Sequence, residues 1–106
     1  MELINSREDF HRVLGETISI VQQFNSETPG FPPFVEILRE LELMAGWTKN
    51  GRTPTKKERE SIYVGLIAVR ELDTDPDPGI QDLCNRLHEL NAYFEDWPED
   101  DTAVKV

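Results

Sequence analysis

The run Ile62-Tyr63-Val64-Gly65-Leu66-Ile67-Ala68-Val69 (IYVGLIAV) decides the fold class, because it is uncharged throughout and rich in branched side chains. Taken alone, such a run suits a buried strand as well as a buried helix. Its surroundings choose the helix. Thr55 and Glu58 upstream match the threonine-x-x-acid capping box, and no proline interrupts the chain from there to Leu72. A helix over 55–72 is therefore expected, with Ile62, Leu66 and Val69 on one stripe and Tyr63, Ile67 and Arg70 on another. Two apolar stripes place it centrally in a bundle, or leave a second face that could meet a partner or a copy of itself.

The flanking segments read as three more helices. Ser6 with Asp9 caps a helix over about 7–24, where Phe10, Val13, Leu14, Ile18 and Val21 recur at helical spacing. Pro29, Gly30, Pro32 and Pro33 form a connector, since prolines remove backbone donors and glycine favours a turn. Pro33 then opens a helix over 33–45 with the stripe Phe34, Ile37, Leu38, Leu41 and Ala45, and Gly46 is expected to end it. After Asp77 as cap, a helix over 78–96 carries the cleanest stripe: Ile80, Leu83, Cys84, Leu87, Leu90, Asn91 and Phe94. Gly15 and Gly65 each interrupt a helical pattern at about 1 kcal/mol relative to alanine, which predicts a tight crossing of the first and third helices there. Residues 97–106 read as a short, mobile acidic tail. The fold class expected is all-α, a single four-helix domain over 1–106.

The chain has 106 residues, enough to bury about two-thirds of its unfolded surface without metal or disulfide staples. Its one cysteine, Cys84, has no internal partner, and no leader-like segment or apolar run of about 18 residues is present. A soluble, cytoplasmic protein without a membrane role is expected. The net charge of -10 is unevenly spread: residues 1–59 hold eight Lys/Arg against nine Asp/Glu, and residues 60–106 hold three against twelve. Such a field repels nucleic acid and steers toward basic protein surfaces.

Chemistry-bearing motifs are scarce. Asp73, Asp75 and Asp77 lie between two helices in the spacing of a calcium loop, but Pro78 stands where that loop needs glycine and Cys84 where it needs a bidentate glutamate. His11 and His88 have no metal-spaced partner, and Cys84 falls on an inward face as a small apolar residue. No phosphate loop, nucleophile elbow or metal motif accompanies the many carboxylates, so no enzyme, cofactor or metal is expected. Lys49, Arg52, Lys56, Lys57 and Arg59 form a basic stretch, expected to be a solvated face or an internal partner for the acidic loop. What remains is a contact surface. Glu71, Asp73, Asp75 and Asp77 form a proline-stiffened acidic turn, with Tyr93 and Trp97 as aromatic anchors and Trp47 and Arg52 as outside candidates.

Over Gly65 to Asp77, GLIAVRELDTDPD, and more loosely on to Tyr93, the chain resembles small all-helical immunity proteins that protect bacteria from type VI secretion effectors, notably effectors whose toxin domain hydrolyses NAD(P). A weaker echo covers Pro29, Gly30 and Phe34 to Leu38. The resemblance implies a non-catalytic antitoxin bound to a cognate toxin domain in the producing cell's cytoplasm, with the toxin's substrate cleft covered. That toxin could equally be another nucleotide-using enzyme, such as a nucleotide pyrophosphokinase. The alternative class is a helical adaptor whose acidic half binds a different basic protein.

Overall fold

The computed structural model describes residues 3–98, so the predicted acidic tail beyond Pro98 lies outside the described residues. Among the described residues the helices are α1 (Arg7–Glu27), α2 (Pro32–Trp47), α3 (Lys56–Glu60), α4 (Val64–Glu71) and α5 (Pro78–Glu95), with a 3-10 turn at Lys49–Gly51. The class is all-α, and α1, α2, α4 and α5 close a ring of neighbours as a four-helix bundle. Among the described residues no helix is long and apolar enough to cross a membrane.

Local chemistry sets most boundaries. Ser6 Oγ accepts from the Asp9 amide at the start of α1, which runs three residues further than expected because Pro29 excludes helical geometry only from Thr28 onward. Gly46 does not end α2: it lies inside the helix, and Thr48 Oγ1 turns back to accept no amide but to donate to the Met44 carbonyl at 2.9 Å. The chain reverses two residues later, where Asn50 and Gly51 take positive φ values of 58° and 80°. Thr55 and Glu58 form both hydrogen bonds of the expected capping box.

The predicted helix over 55–72 is two helices. It breaks at Ser61–Tyr63 because the first amides of α4 find acceptors on other elements instead of on the preceding turn. The Glu40 carboxylate of α2 accepts from the Tyr63 amide at 2.7 Å, and Asn91 Oδ1 of α5 accepts from the Gly65 amide at 2.8 Å. Four amides at a helix start lack partners within the helix, and here side chains distant in sequence accept from those of Tyr63 and Gly65. Restarting the helix also changes its faces. Val64, Gly65, Ile67, Ala68 and Leu72 turn inward, whereas Leu66 and Val69, expected on an inner stripe, face outward with Tyr63.

The expected crossing of Gly15 and Gly65 does not occur. Gly15 is exposed, with no neighbour within 4 Å of an added Cβ, while Gly65 lies against Asn91 of α5. The absence of a side chain at Gly65 is what lets the Asn91 carboxamide reach its amide.

The core runs the length of the bundle, with Phe10, Ile37, Leu41, Met44, Leu83, Leu87, Leu90 and Phe94 fully buried. The α5 stripe read from sequence is buried except for Asn91, which is half-buried. Arg86 ties α5 to α1 through Glu16 at 3.0 Å, and Glu89 Oε1 accepts from the Leu3 amide at 2.6 Å, holding the N-terminal segment on α5.

Candidate partner-binding site

Glu71, Asp73, Asp75 and Asp77 are all exposed, on the last residue of α4 and the loop into α5. The loop is fixed by its own side chains. Asp75 Oδ1 accepts from the Asp77 amide at 2.9 Å, and Asp77 Oδ1 accepts from the Gly79 amide at 3.4 Å as cap of α5. Gln81, one turn into α5, donates its carboxamide N–H groups to the carbonyls of Asp75 at 2.6 Å and Asp73 at 3.1 Å. Four carboxylates are thereby presented on a braced backbone, not on a floppy connector.

One wall of a surface groove of about 360 Å³ is this loop. The opposite wall is the turn between α1 and α2, so the groove could not be seen from either segment alone. Its floor is apolar, formed by Phe24, Phe31, Phe34, Leu72 and Ile80, while Glu27, Glu71, Asp75 and Asp77 stand at its edge. Phe34 stacks on Phe24 at 5.5 Å and meets Phe31 edge-on at 5.0 Å, which fixes the floor's shape. An apolar floor rimmed by carboxylates suits a basic side chain with a long aliphatic or flat stem.

The two aromatic candidates are elsewhere. Trp97 is only 5% exposed, packed edge-on against Phe10 at 5.0 Å and against Tyr93 at 5.4 Å. Tyr93 is half-buried and stacked on Phe10 at 5.5 Å. Tyr93 is in the last turn of α5 and Trp97 just past it, so both lie at the end of the helix away from the acidic loop, about 25 Å off at about 1.5 Å per residue. Trp97 is thus a core residue in the free chain, closing the bundle with Phe94 and the Arg7 guanidinium, 5.5 Å from its ring. Trp47 likewise stacks on Phe94, at 6.2 Å.

The basic stretch is no partner for the acidic loop, because it too lies at the other end of the bundle. Arg59 donates to the Glu95 carbonyl at the C-terminus of α5, Arg52 pairs with Glu58 at 2.9 Å, and Lys56 faces Glu60 at 3.7 Å. That hydrogen bond to Arg52 holds the Glu58 carboxyl below its ordinary range and the Arg52 guanidinium above its own. Burial, then the charges of Asp73 and Asp75, push the Cys84 thiol up, which keeps it a protonated, inert core group. Among the described residues no three His, Cys, Asp or Glu side chains gather as a metal site.

The family model for Tsi6 matches residues 10–96 of this chain. The chain belongs to the Tsi6 family. Tsi6 is a family of type VI secretion immunity proteins, which implies a cognate effector as the partner. The Tsi6 match spans every helix from α2 to α5 and nearly all of α1, so loop, groove and bundle all fall inside it. No curated protein and no solved structure matches the chain.

Proposed function

We propose that this chain neutralises the toxin domain of a cognate type VI secretion effector in the cytoplasm of the producing cell, and that it does so by covering the toxin's active site. The toxin proposed is an NAD(P)-hydrolysing enzyme; a nucleotide pyrophosphokinase would offer the same kind of basic, phosphate-binding cleft. The observation that carries this is the loop Glu71–Asp77, whose backbone and whose Asp75 and Asp77 carboxylates are held by hydrogen bonds within the chain. A cleft built for nucleotide phosphates is positive, so a rigid acidic loop complements it and loses little freedom on docking. Complementary charge also accelerates encounter, and a toxin that turns over rapidly must be captured early. Inhibition of this kind requires no chemistry from the chain itself, in keeping with a non-enzymatic role.

Co-expression with the effector encoded beside this chain, followed by co-purification and an NAD(P)-consumption assay, tests the proposal. The expected result is a stable complex in which turnover ceases. Changing Asp73, Asp75 and Asp77 together to asparagine retains the oxygen acceptors that the Asp77 and Gly79 amides use, so the loop keeps its shape while losing three charges. Association with the toxin should then slow at least tenfold at low salt and lose much of its salt dependence. Unaltered association would remove the loop from the interface, and a free toxin inactive on NAD(P) would redirect the substrate to another nucleotide.

A further inference from the structure

From its cap to its last turn, the outward side of α4 carries three exposed apolar side chains, with Arg70 and Glu71 exposed beyond them at its C-terminal end. Tyr63, Leu66 and Val69 are 54%, 52% and 50% exposed, and their spacing of three stacks them in a single row. Isolated exposed apolar side chains are ordinary on a protein surface, but a contiguous row on a short helix is not. The row is also stiff. Glu40 and Asn91 hold the helix by its first amides, while Val64, Ile67 and Ala68 fix its inner side in the core.

On the immunity reading above, we infer that this row is the desolvated anchor by which the chain grips the effector's toxin domain. Steering by the acidic loop sets how fast two surfaces meet, whereas lasting attachment needs buried apolar groups. The expected aromatic anchors do not supply them, since Trp97 is buried and Tyr93 half-buried at the far end of α5. The α4 row does: it runs directly into Glu71 and Asp73, and Glu60 precedes it. The matching surface is therefore an apolar patch flanked by Lys or Arg.

Charge selects that occupant over a second copy of the chain. Each copy carries a net charge of -10, with twelve acids against three bases after residue 59, and α4 itself contributes one cation, Arg70. Two such faces brought together would set acid-rich ends near each other, while a basic toxin surface would be attracted to both.

The test compares the wild type with the double variant Leu66→Ala, Val69→Ala, both at exposed positions that tolerate alanine. Binding to the catalytically inactivated effector is followed by biolayer interferometry, and melting and sedimentation are measured on the free chain. The expected result is a Kd at least tenfold weaker, carried by faster dissociation, with the association rate, its salt dependence and the melting temperature unchanged. The aspartate-to-asparagine loop variant should show the converse pattern. A Kd within twofold of wild type overturns the anchor while leaving the immunity reading intact. A wild-type dimer that the double variant dissociates, without loss of toxin binding, assigns the face to a second copy instead. Failure of the wild type to bind the effector at all would sink the immunity reading and the anchor with it.

Discussion

Glu40 offers a sharp test of how the bundle is held together. The residue is 4% exposed, yet its carboxyl reaches across 23 residues to accept from the Tyr63 amide at 2.7 Å, and the Val64 amide bonds to the same group. Arg39 lies at 4.0 Å, on the solvent side. Glu40→Ala leaves these donors inside the protein without an acceptor. A hydrogen bond to a charged group contributes about 1.5–3 kcal/mol, and relief of the carboxylate's own burial cost offsets part of the loss, so about 2 kcal/mol is expected. For a chain of this size that lowers the melting temperature by roughly 10 °C. Glu40→Gln keeps an oxygen acceptor and should retain most of that stability. The two variants also separate in pH. Burial raises the Glu40 carboxyl above its ordinary 4.5, against the opposing pull of the Tyr63 amide and of Arg39 and reinforced by Glu36. The folded state consequently keeps a proton that the unfolded state has already lost. Raising the pH from about 4.5 through the folded-state value must then lower wild-type stability relative to Glu40→Gln, and the difference levels off once the group is ionised. Urea denaturation followed by circular dichroism at several pH values measures both effects. Should Glu40→Ala unfold at the wild-type urea concentration, Glu40 is not the cap and the break before α4 has another cause.

Gly65→Ala sets a Cβ 3.2 Å from Asn91 Oδ1 and pushes away the acceptor of its own amide, so it should cost about 1 kcal/mol or more, whereas Gly15→Ala, open to solvent in α1, should gain up to about 1 kcal/mol. Paired melting curves decide this, and equal effects would contradict the packing described. Trp97→Ala should cost about 3–5 kcal/mol as a core truncation. Trp97→Phe should cost much less, because the buried indole N–H has no acceptor among the described residues. Differential scanning fluorimetry of the two variants would refute a core role if both melted with the wild type.

Four of the helix starts were legible because their caps are local: Ser6, the proline before Phe34, Thr55 with Glu58, and Asp77 each act within three residues. The start of α4 was not, since its acceptors come from Glu40 and Asn91, which only the tertiary fold brings near. Reading one unbroken helix over 55–72 missed that second start, so Leu66 and Val69 were put on an apolar stripe, while Val64 and Ala68, which the structure buries, were on neither. The acidic loop was plain from Asp-Pro spacing alone. The groove beside it was hidden because half its wall comes from residues 24–34, and the burial of Trp97 was hidden because aromatic composition does not separate an anchor from a core lid.

Glu40 and Asn91 grip α4 by the backbone amides of Tyr63 and Gly65, and neither contact uses the side chain of Tyr63, Leu66 or Val69. Identity at Tyr63, Leu66 and Val69 is therefore irrelevant to how the helix is seated. On the proposed reading, those three positions are free to change with the cognate toxin while the bundle beneath is left undisturbed.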